Sequence, residues 1–143
     1  ARVVLDALAE PQLVHHLEKK LGIKPGARVS VMDPPPGYQA LLEPLPPGLQ
    51  LNERPGQSTD LVHLFGVDRE TLAAALASLR HKLRTDTPIW VAWPKKSSKV
   101  PTTITEDVIR EVALPLGFVD IKVCAVSEVW SGLKLVIRKA LRR

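Results

Sequence analysis

The chain has 143 residues, of which 45% are apolar and 24% charged, and its net charge is +5. These proportions exclude an intrinsically disordered chain and predict a single domain over residues 1–143 that buries its core without a structural metal. Cys124 is the only cysteine, which excludes an intrachain disulfide, and no apolar run approaches the roughly 20 residues needed to cross a bilayer. We therefore expect a cytoplasmic protein without membrane contact, and the basic excess favours an anionic small molecule or nucleic acid as partner.

The N-terminal part of the chain passes from a helical to an extended pattern. Apolar residues at helical spacing predict a helix over residues 11–21, within an N-terminal helical segment that covers 1–21. A short apolar strand is predicted at 28–32, and the loop from Asp33 to Tyr38 follows it. Three consecutive prolines restrict φ and remove backbone donors, so this loop is expected to be rigid.

The middle of the chain continues with alternating helices and strands. A short helix is predicted at 38–42, a weak strand at 49–53, and a strand apolar enough for burial on both faces at 60–67. Asp68 can cap the helix that follows, whose leucines recur at helical spacing as far as Leu83.

The C-terminal half supplies three more strands and one helix. A β-branched and aromatic strand at 89–93 leads into a lysine-rich loop, and the spacing of Thr103 and Glu106 predicts a capping box at the start of the next helix. Two strands are predicted at 118–126 and 130–138. Because three residues are too few for a crossover, these last two strands are expected to form an antiparallel hairpin.

This order of elements predicts an α/β fold. Strands and helices that alternate along the chain favour a doubly wound, mostly parallel sheet with helices on both faces, and the C-terminal hairpin adds one antiparallel strand. That layout resembles the class I methyltransferase sheet in a compact form that lacks some early elements. In this comparison residues 60–65 correspond to the fourth strand of the methyltransferase sheet and residues 89–93 to the fifth.

A closer resemblance rests on three segments, at 21–26, 93–99 and 123–131. They are similar to an uncharacterised bacterial family of small, Rossmann-like methyltransferase domains, and the similarity spans roughly residues 20–139. The resemblance implies the fold, and it brings no assigned activity with it because fold does not determine function.

The methyltransferase resemblance also implies a place for S-adenosylmethionine. The proline-rich loop stands where methyltransferases carry a glycine-rich turn, and its single glycine departs from that pattern. Glu53 ends the predicted second strand, and the resemblance implies that it is the acidic residue that usually holds the ribose hydroxyls there. The candidate cofactor-binding residues are Asp33, Gly37, Tyr38, Glu53 and Phe65.

A second candidate site is the lysine loop after the fourth strand of this chain. Its ammonium and hydroxyl groups can donate to a phosphate or carboxylate, and in an open α/β sheet ligands bind at the carboxyl ends of the strands. The candidate anion-binding residues are Lys95, Lys96, Ser97, Ser98, Lys99 and Thr103. Trp93 and Trp130 are candidates for an aromatic wall beside them. The spacing of the remaining polar residues indicates no metal site and assigns no catalytic residue.

Three hypotheses follow for function. The first is a non-catalytic module that binds an anion or nucleotide through the lysine loop, which follows the fourth strand of this chain at 89–93. The second is an S-adenosylmethionine-dependent methyltransferase with an atypical proline-rich cofactor turn, and the third is a nucleic-acid-binding protein. Affinity for the cofactor separates the first two, and steep salt dependence of binding would mark the third.

Overall fold

The computed structural model describes residues 17–142. Most of the helix predicted over 11–21 lies outside the described residues. The strands of the described part are β1 (Arg28–Met32), β2 (Gln50–Asn52), β3 (Leu61–Phe65), β4 (Ile89–Pro94), β5 (Phe118–Ala125) and β6 (Trp130–Ile137). Its helices are α1 (Leu17–Leu21), α2 (Tyr38–Leu41), α3 (Arg69–Lys82) and α4 (Glu106–Ala113), with 3₁₀ turns at Lys96–Ser98, Leu114–Leu116 and Lys139–Leu141.

The strands form one sheet in the order β2-β1-β3-β4-β6-β5. Neighbouring strands from β2 to β4 pair in parallel, whereas β6 pairs antiparallel with both β4 and β5. The predicted mostly parallel sheet with one antiparallel strand from a C-terminal hairpin is therefore confirmed. The carboxyl ends of β1 to β4 meet at one edge of this sheet, here called the carboxyl edge, and β6 begins there because Trp130 pairs with Pro94.

Helices cover both faces of the sheet, as the doubly wound arrangement requires. On one face, α3 and α4 pack over apolar side chains of β3, β4 and β6, and Leu72, Leu76 and Leu79 of α3 are almost completely buried. On the other face, α1 and α2 pack over a second apolar cluster that includes Trp90 and Phe65. Each buried leucine of this kind stabilises the fold by about 1.5–3 kcal/mol, taken as an upper value.

Side-chain caps fix where the two long helices begin. The Asp68 carboxylate accepts a hydrogen bond from the backbone N–H of Thr71 at 2.9 Å, as predicted for the start of α3. The predicted capping box at Thr103 is wrong, because the cap of α4 is Thr105, whose hydroxyl accepts from the N–H of Val108. Two residues earlier, the Thr103 hydroxyl accepts from the N–H of Arg69 at 2.7 Å and ties this loop to the start of α3.

The second strand is short and depends on polar contacts with its neighbour. β2 covers three residues and pairs with β1 alone. The Ser30 hydroxyl lies 2.8 Å from Oδ1 of Asn52 and 2.9 Å from the hydroxyl of Thr59, so a buried hydroxyl of β1 anchors the end of β2. This anchor places Glu53 directly beyond the end of the strand. None of the helices in residues 17–142 is long and apolar enough to span a membrane.

Candidate functional site

Four loops lie side by side along the carboxyl edge. The strand order places Glu53 after β2, Asp33 after β1, Gly66 after β3 and Lys95 after β4. Neighbouring strands of a sheet are about 4.8 Å apart, so the strands that end at Asp33 and Lys95 are separated by about 10 Å with β3 between them. The candidate cofactor and anion residues therefore share one edge, in a defined order.

A cavity opens between the ends of β1 and β2. It has a volume of about 490 Å³, within the range of about 300–1,000 Å³ that is usual for small-molecule sites. A smaller cavity of about 240 Å³ adjoins it, and Val31, Pro34 and Glu53 line both. The walls of the larger cavity are formed by Val31, Pro34, Gly37, Tyr38, Gln39, Ala40, Leu51, Asn52 and Glu53. The structure thus brings three of the five predicted cofactor residues, Gly37, Tyr38 and Glu53, together in one cavity.

The loop after β1 holds its shape through unusual backbone angles. Asp33 has a φ of 54°, in the left-handed region that only a small fraction of non-glycine residues enter, and its carboxylate has no hydrogen bond within residues 17–142. Gly37 has a φ of 79° and ends the loop as the residue that precedes α2. Strained residues of this kind persist where the surrounding structure holds them, and they concentrate at functional sites.

Tyr38 is held beneath the larger cavity by a buried histidine. Its hydroxyl lies 2.7 Å from Nδ1 of His63, and both side chains are buried. Burial lowers the pKa of His63 to about 3 and raises the pKa of Tyr38, so both groups are neutral near neutral pH. The other ring nitrogen of His63, Nε2, is buried and has no hydrogen-bond partner among the described residues.

Phe65 does not line the larger cavity between β1 and β2, here called the first cavity. It lines a separate cavity beside β3, here called the second cavity. The centroid of its ring lies 4.4 Å from the ring centroid of His63. It lies 5.0 Å from the ring centroid of Trp130, in an edge-to-face arrangement. The second cavity, of about 260 Å³, is lined by Asp33, Phe65, Gly66, Val67, Asp68, Thr71 and Trp130. Asp33 lines this cavity and also the smaller cavity beside Glu53, so it lies at the junction of two spaces.

The lysine loop lies beside the second cavity. The N–H of Lys95 donates to the carbonyl of Val129 at 2.7 Å, and the N–H of Thr103 donates to the carbonyl of Val67 at 3.0 Å. Two of the predicted anion ligands are engaged inside the loop, because the Ser98 hydroxyl donates to the carbonyl of Lys95 and the Thr103 hydroxyl accepts from Arg69. The side chains of Lys95, Lys96, Ser97 and Lys99 form no hydrogen bond or ion pair among the described residues.

The two candidate tryptophans lie on opposite faces of the sheet. Trp93 is 8% exposed and packs in the core beneath α3 and α4. Trp130 packs at the margin of the other core and lines the second cavity. Since side chains alternate along a strand, the pairing of Pro94 with Trp130 turns Trp93 away from it. The structure therefore does not bring Trp93 and Trp130 together as one aromatic wall.

Several residues at this edge were not predicted from the sequence. Asn52 and Pro34 line the first cavity, and Val67, Asp68 and Thr71 line the second. The contact between Tyr38 and His63 joins residues 25 positions apart, and no local pattern signals it. Among residues 17–142, no group of three or more histidine, cysteine or carboxylate side chains is arranged to hold a metal ion.

Comparison with known proteins identifies the fold through structure alone. No protein-family model matches the sequence, and no curated protein matches it. A candidate type 11 methyltransferase from Sulfolobus solfataricus is similar with a TM-score of 0.64 at 13% identity, over 96% of this chain and 97% of that one. A SAM-dependent methyltransferase from Aquifex aeolicus reaches 0.62 at 12% identity, over 88% and 92%. LepI in complex with SAM reaches 0.54 at 14% identity, over 85% of this chain and 39% of that one. At these identities the similarity establishes the architecture, and the protein has a class I methyltransferase-like fold.

Proposed function

We propose that the protein binds S-adenosylmethionine in the cavity between β1 and β2 and acts as a methyltransferase. The observation that carries this proposal is the cavity of about 490 Å³ at the carboxyl edge, with Glu53 placed beyond the anchored end of β2. The volume of the cavity fits a nucleoside-sized ligand, and the Glu53 carboxylate can accept hydrogen bonds from ribose hydroxyls. The fold shared with SAM-dependent methyltransferases supports this function over a non-catalytic binding module.

The residues of the cavity have distinct parts in this proposal. Glu53 accepts hydrogen bonds from the ribose hydroxyls, and Asp33, an exposed carboxylate of the neighbouring loop, attracts the positively charged end of the ligand. Tyr38 and Gly37 form the floor, and Pro34 contributes an apolar wall that excludes water. Because the prolines of the loop cannot donate backbone hydrogen bonds, this site contacts the ligand through two carboxylates, which accept hydrogen bonds from its hydroxyl and ammonium groups.

When bound, S-adenosylmethionine would supply an electrophilic methyl carbon to a lone pair of the acceptor; the electrons of the carbon–sulfur bond would stay on sulfur, and a displaced proton would pass to water. The residues of the chain position the two reactants and shield them from water. The order of loops along the carboxyl edge places Asp33 between the cofactor cavity and the cavity beside Phe65. Holding two reactants next to each other converts their encounter into a step within one complex.

The lysine loop supports a second, narrower proposal. Lys95, Lys96 and Lys99 take no part in the ion pairs of residues 17–142, which are formed by Arg69, Arg84 and Arg110. Unpaired ammonium groups beside a ligand cavity favour an anionic group, and Ser97 can add a hydroxyl donor. The same loop, with the net charge of +5, is what a nucleic-acid-binding role would use.

Isothermal titration calorimetry with S-adenosylhomocysteine tests the main proposal. Wild-type protein is expected to bind the ligand more tightly than ATP, which carries the same nucleoside but would bring phosphate groups next to the two carboxylates. Glu53→Gln should weaken binding by roughly tenfold or more, since a hydrogen bond to a charged group contributes about 1.5–3 kcal/mol. Glu43→Gln is the matched control, because Glu43 is also exposed and lies outside the cavity lining.

The outcomes are distinct. Binding to wild type that Glu53→Gln weakens and Glu43→Gln leaves unchanged supports the proposal. Absence of binding to wild type at millimolar ligand contradicts cofactor binding and returns the function to a module that binds another partner. Binding of ATP alone, with the same affinity in both glutamine variants, assigns ligand recognition to the lysine loop instead.

A further inference from the structure

The second cavity lies between an acidic and a basic loop. Asp33 stands on one side of it, after β1, and the lysine loop stands on the other, after β4. β3 lies between these strands and supplies the floor with Phe65 and Gly66. This arrangement is separate from the cofactor cavity, which lies on the far side of Asp33 between β1 and β2.

We infer that this second cavity binds the methyl acceptor, and that the acceptor is a small molecule with an aromatic or apolar body and an anionic group. The inference rests on the proposed cofactor site. It adds the chemical class of the substrate, with the apolar body against Phe65 and Trp130, the anionic group toward the lysine loop, and the nucleophile toward Asp33.

The interior of the cavity favours an apolar, planar group. Phe65 and Trp130 meet edge to face at 5.0 Å, and Gly66 and Val67 complete the wall. Aromatic walls of this kind bind rings through burial and through edge and face contacts. The volume of about 260 Å³ is below the usual range for a whole ligand, so the cavity holds the body of an acceptor whose polar end extends beyond it.

The lysine loop is anchored at both ends to the surroundings of this cavity. Its first anchor is the bond from Lys95 to Val129, the residue before Trp130, and its last anchors are the bonds from Thr102 and Thr103 to the carbonyl of Val67. Trp130 and Val67 both line the cavity, so the loop is tied next to it at both of its ends. Lys99 has a φ of 61°, and within residues 17–142 it and Asp33 are the only non-glycine residues with positive φ.

Two further carboxylates lie near the cavity, those of Asp68 and Glu128. Asp68 uses its carboxylate to cap α3, with bonds from both the N–H and the hydroxyl of Thr71. Glu128 lies in the hairpin turn next to the loop and forms no ion pair with its lysines among the described residues. The strand that ends at Asp33 lies about 10 Å from the strand that ends at the lysine loop, with β3 between them. An acceptor with opposite polarity at its two ends fits this order.

Three indole probes with the same ring and two-carbon side chain, but with an anionic, a neutral and a cationic head group, test the inference: indole-3-propionate, its amide, and tryptamine. Binding is followed by NMR through the backbone amides of Gly66 and Val67. We expect the propionate to perturb these amides at lower concentration than the amide, and tryptamine to be the weakest. In the Lys96→Gln/Lys99→Gln variant, propionate affinity should fall roughly threefold to tenfold, while the neutral amide should be unaffected.

The control variant removes two lysines elsewhere. Lys82→Gln/Lys122→Gln changes the net charge equally, on exposed positions of α3 and β5, and should leave propionate affinity unchanged. Val67→Glu adds a carboxylate at a 43% exposed position of the cavity and should abolish the preference for the anionic probe without unfolding the protein.

Each result decides between the two proposals. The inference is overturned if no probe perturbs Gly66 and Val67 at millimolar concentration, if tryptamine binds as tightly as the propionate, or if both double variants lose affinity equally. Titration of the same proteins with S-adenosylhomocysteine reports on the cofactor site. If the wild-type protein prefers the anionic probe but does not bind S-adenosylhomocysteine, the proposed function is contradicted. If it binds S-adenosylhomocysteine but shows no preference for the anionic probe, only the proposed class of acceptor is contradicted.

Discussion

The Tyr38 hydroxyl lies 2.7 Å from Nδ1 of His63, and this buried contact joins the loop after β1 to the middle of β3. Tyr38 lines the first cavity, and Phe65, which packs against both rings, lines the second. The pair therefore forms a common floor beneath the two proposed ligand sites. Since both groups are neutral near neutral pH, the floor depends on an uncharged imidazole, and protonation in acid would place a charge in this buried position.

We predict that His63 makes the protein less stable in mild acid. The pKa of His63 is about 3 in the folded protein, against 6.5 for an ordinary histidine, so between these values the unfolded chain binds more protons. Stability therefore falls as the pH falls from about 7 towards 3. From about pH 7 to about pH 5 the loss is about 2 kcal/mol, or roughly 5–10 °C in the unfolding midpoint.

The comparison that isolates this effect is thermal unfolding of wild type and His63→Gln across the same pH range. The carboxylates are the same in both proteins, so their contributions cancel in the difference. We expect the glutamine variant to lose less stability than wild type on acidification. Parallel curves for the two proteins would show that His63 does not carry the pH dependence.

Removal of the Tyr38 hydroxyl should destabilise the protein through the histidine that it leaves behind. Tyr38→Phe keeps the ring and its edge contacts, but leaves Nδ1 of a fully buried imidazole without its partner. A buried polar atom left unpaired costs about 1–3 kcal/mol. Urea unfolding of Tyr38→Phe, His63→Leu and the double variant measures the coupling, and the double variant should lose less than the sum of the two. Additive losses would mean that the hydrogen bond contributes nothing measurable.

The sequence predicts this fold well because its strands are strongly apolar. β3 and β4 are buried along their whole length, and such runs are visible without any tertiary information. The site is less predictable, since it depends on contacts between distant residues such as Tyr38 and His63. Trp93 illustrates this limit, because its face of the sheet is decided by the register of β4 with β6. The predicted cap of α4, Thr103, differs from the observed cap, Thr105, for a similar reason. The Thr103 hydroxyl accepts a hydrogen bond from Arg69 of a distant helix.

The left-handed backbone of Asp33 predicts an unusual order of stability for two substitutions. At a φ of 54° a residue with a Cβ is strained, and alanine lacks the short polar side chain that helps aspartate tolerate this region. Asp33→Gly should therefore be more stable than Asp33→Ala by about 1 kcal/mol in urea unfolding.

Asp86 provides the matched control for this comparison. It is an exposed loop aspartate without positive φ, so alanine should be the more stable substitution there by about 0.4–1 kcal/mol. The same order of glycine and alanine at both positions would contradict the strain assigned to Asp33. If this strain is confirmed, the protein loses part of its unfolding free energy at Asp33, between the two cavities, at a position where glycine would be more stable.

Gly132 should be the least tolerant glycine of the sheet, for reasons of space rather than of backbone angle. A Cβ at this position would lie 3.0 Å from Cγ2 of Val126 and 3.3 Å from Cε3 of Trp90. Trp90 cannot move aside, because it is fully buried and its indole N–H donates to the carbonyl of Leu21 at 2.9 Å. Gly132→Ala should therefore cost about 1–3 kcal/mol of unfolding free energy through overpacking.

Two further variants distinguish overpacking from a general effect of replacing glycine. Gly56 has open space around it and no positive φ, so Gly56→Ala should leave stability unchanged or raise it by about 0.4–1 kcal/mol. Val126→Ala removes the methyl group that a Cβ at residue 132 would strike, so it should recover part of the loss when combined with Gly132→Ala. Equal stability of the two glycine variants, or strict additivity with Val126→Ala, would contradict the packing explanation. Overpacking with recovery would show that the start of β6 is held against Trp90 and α1, which fixes Trp130 at the entrance of the second cavity.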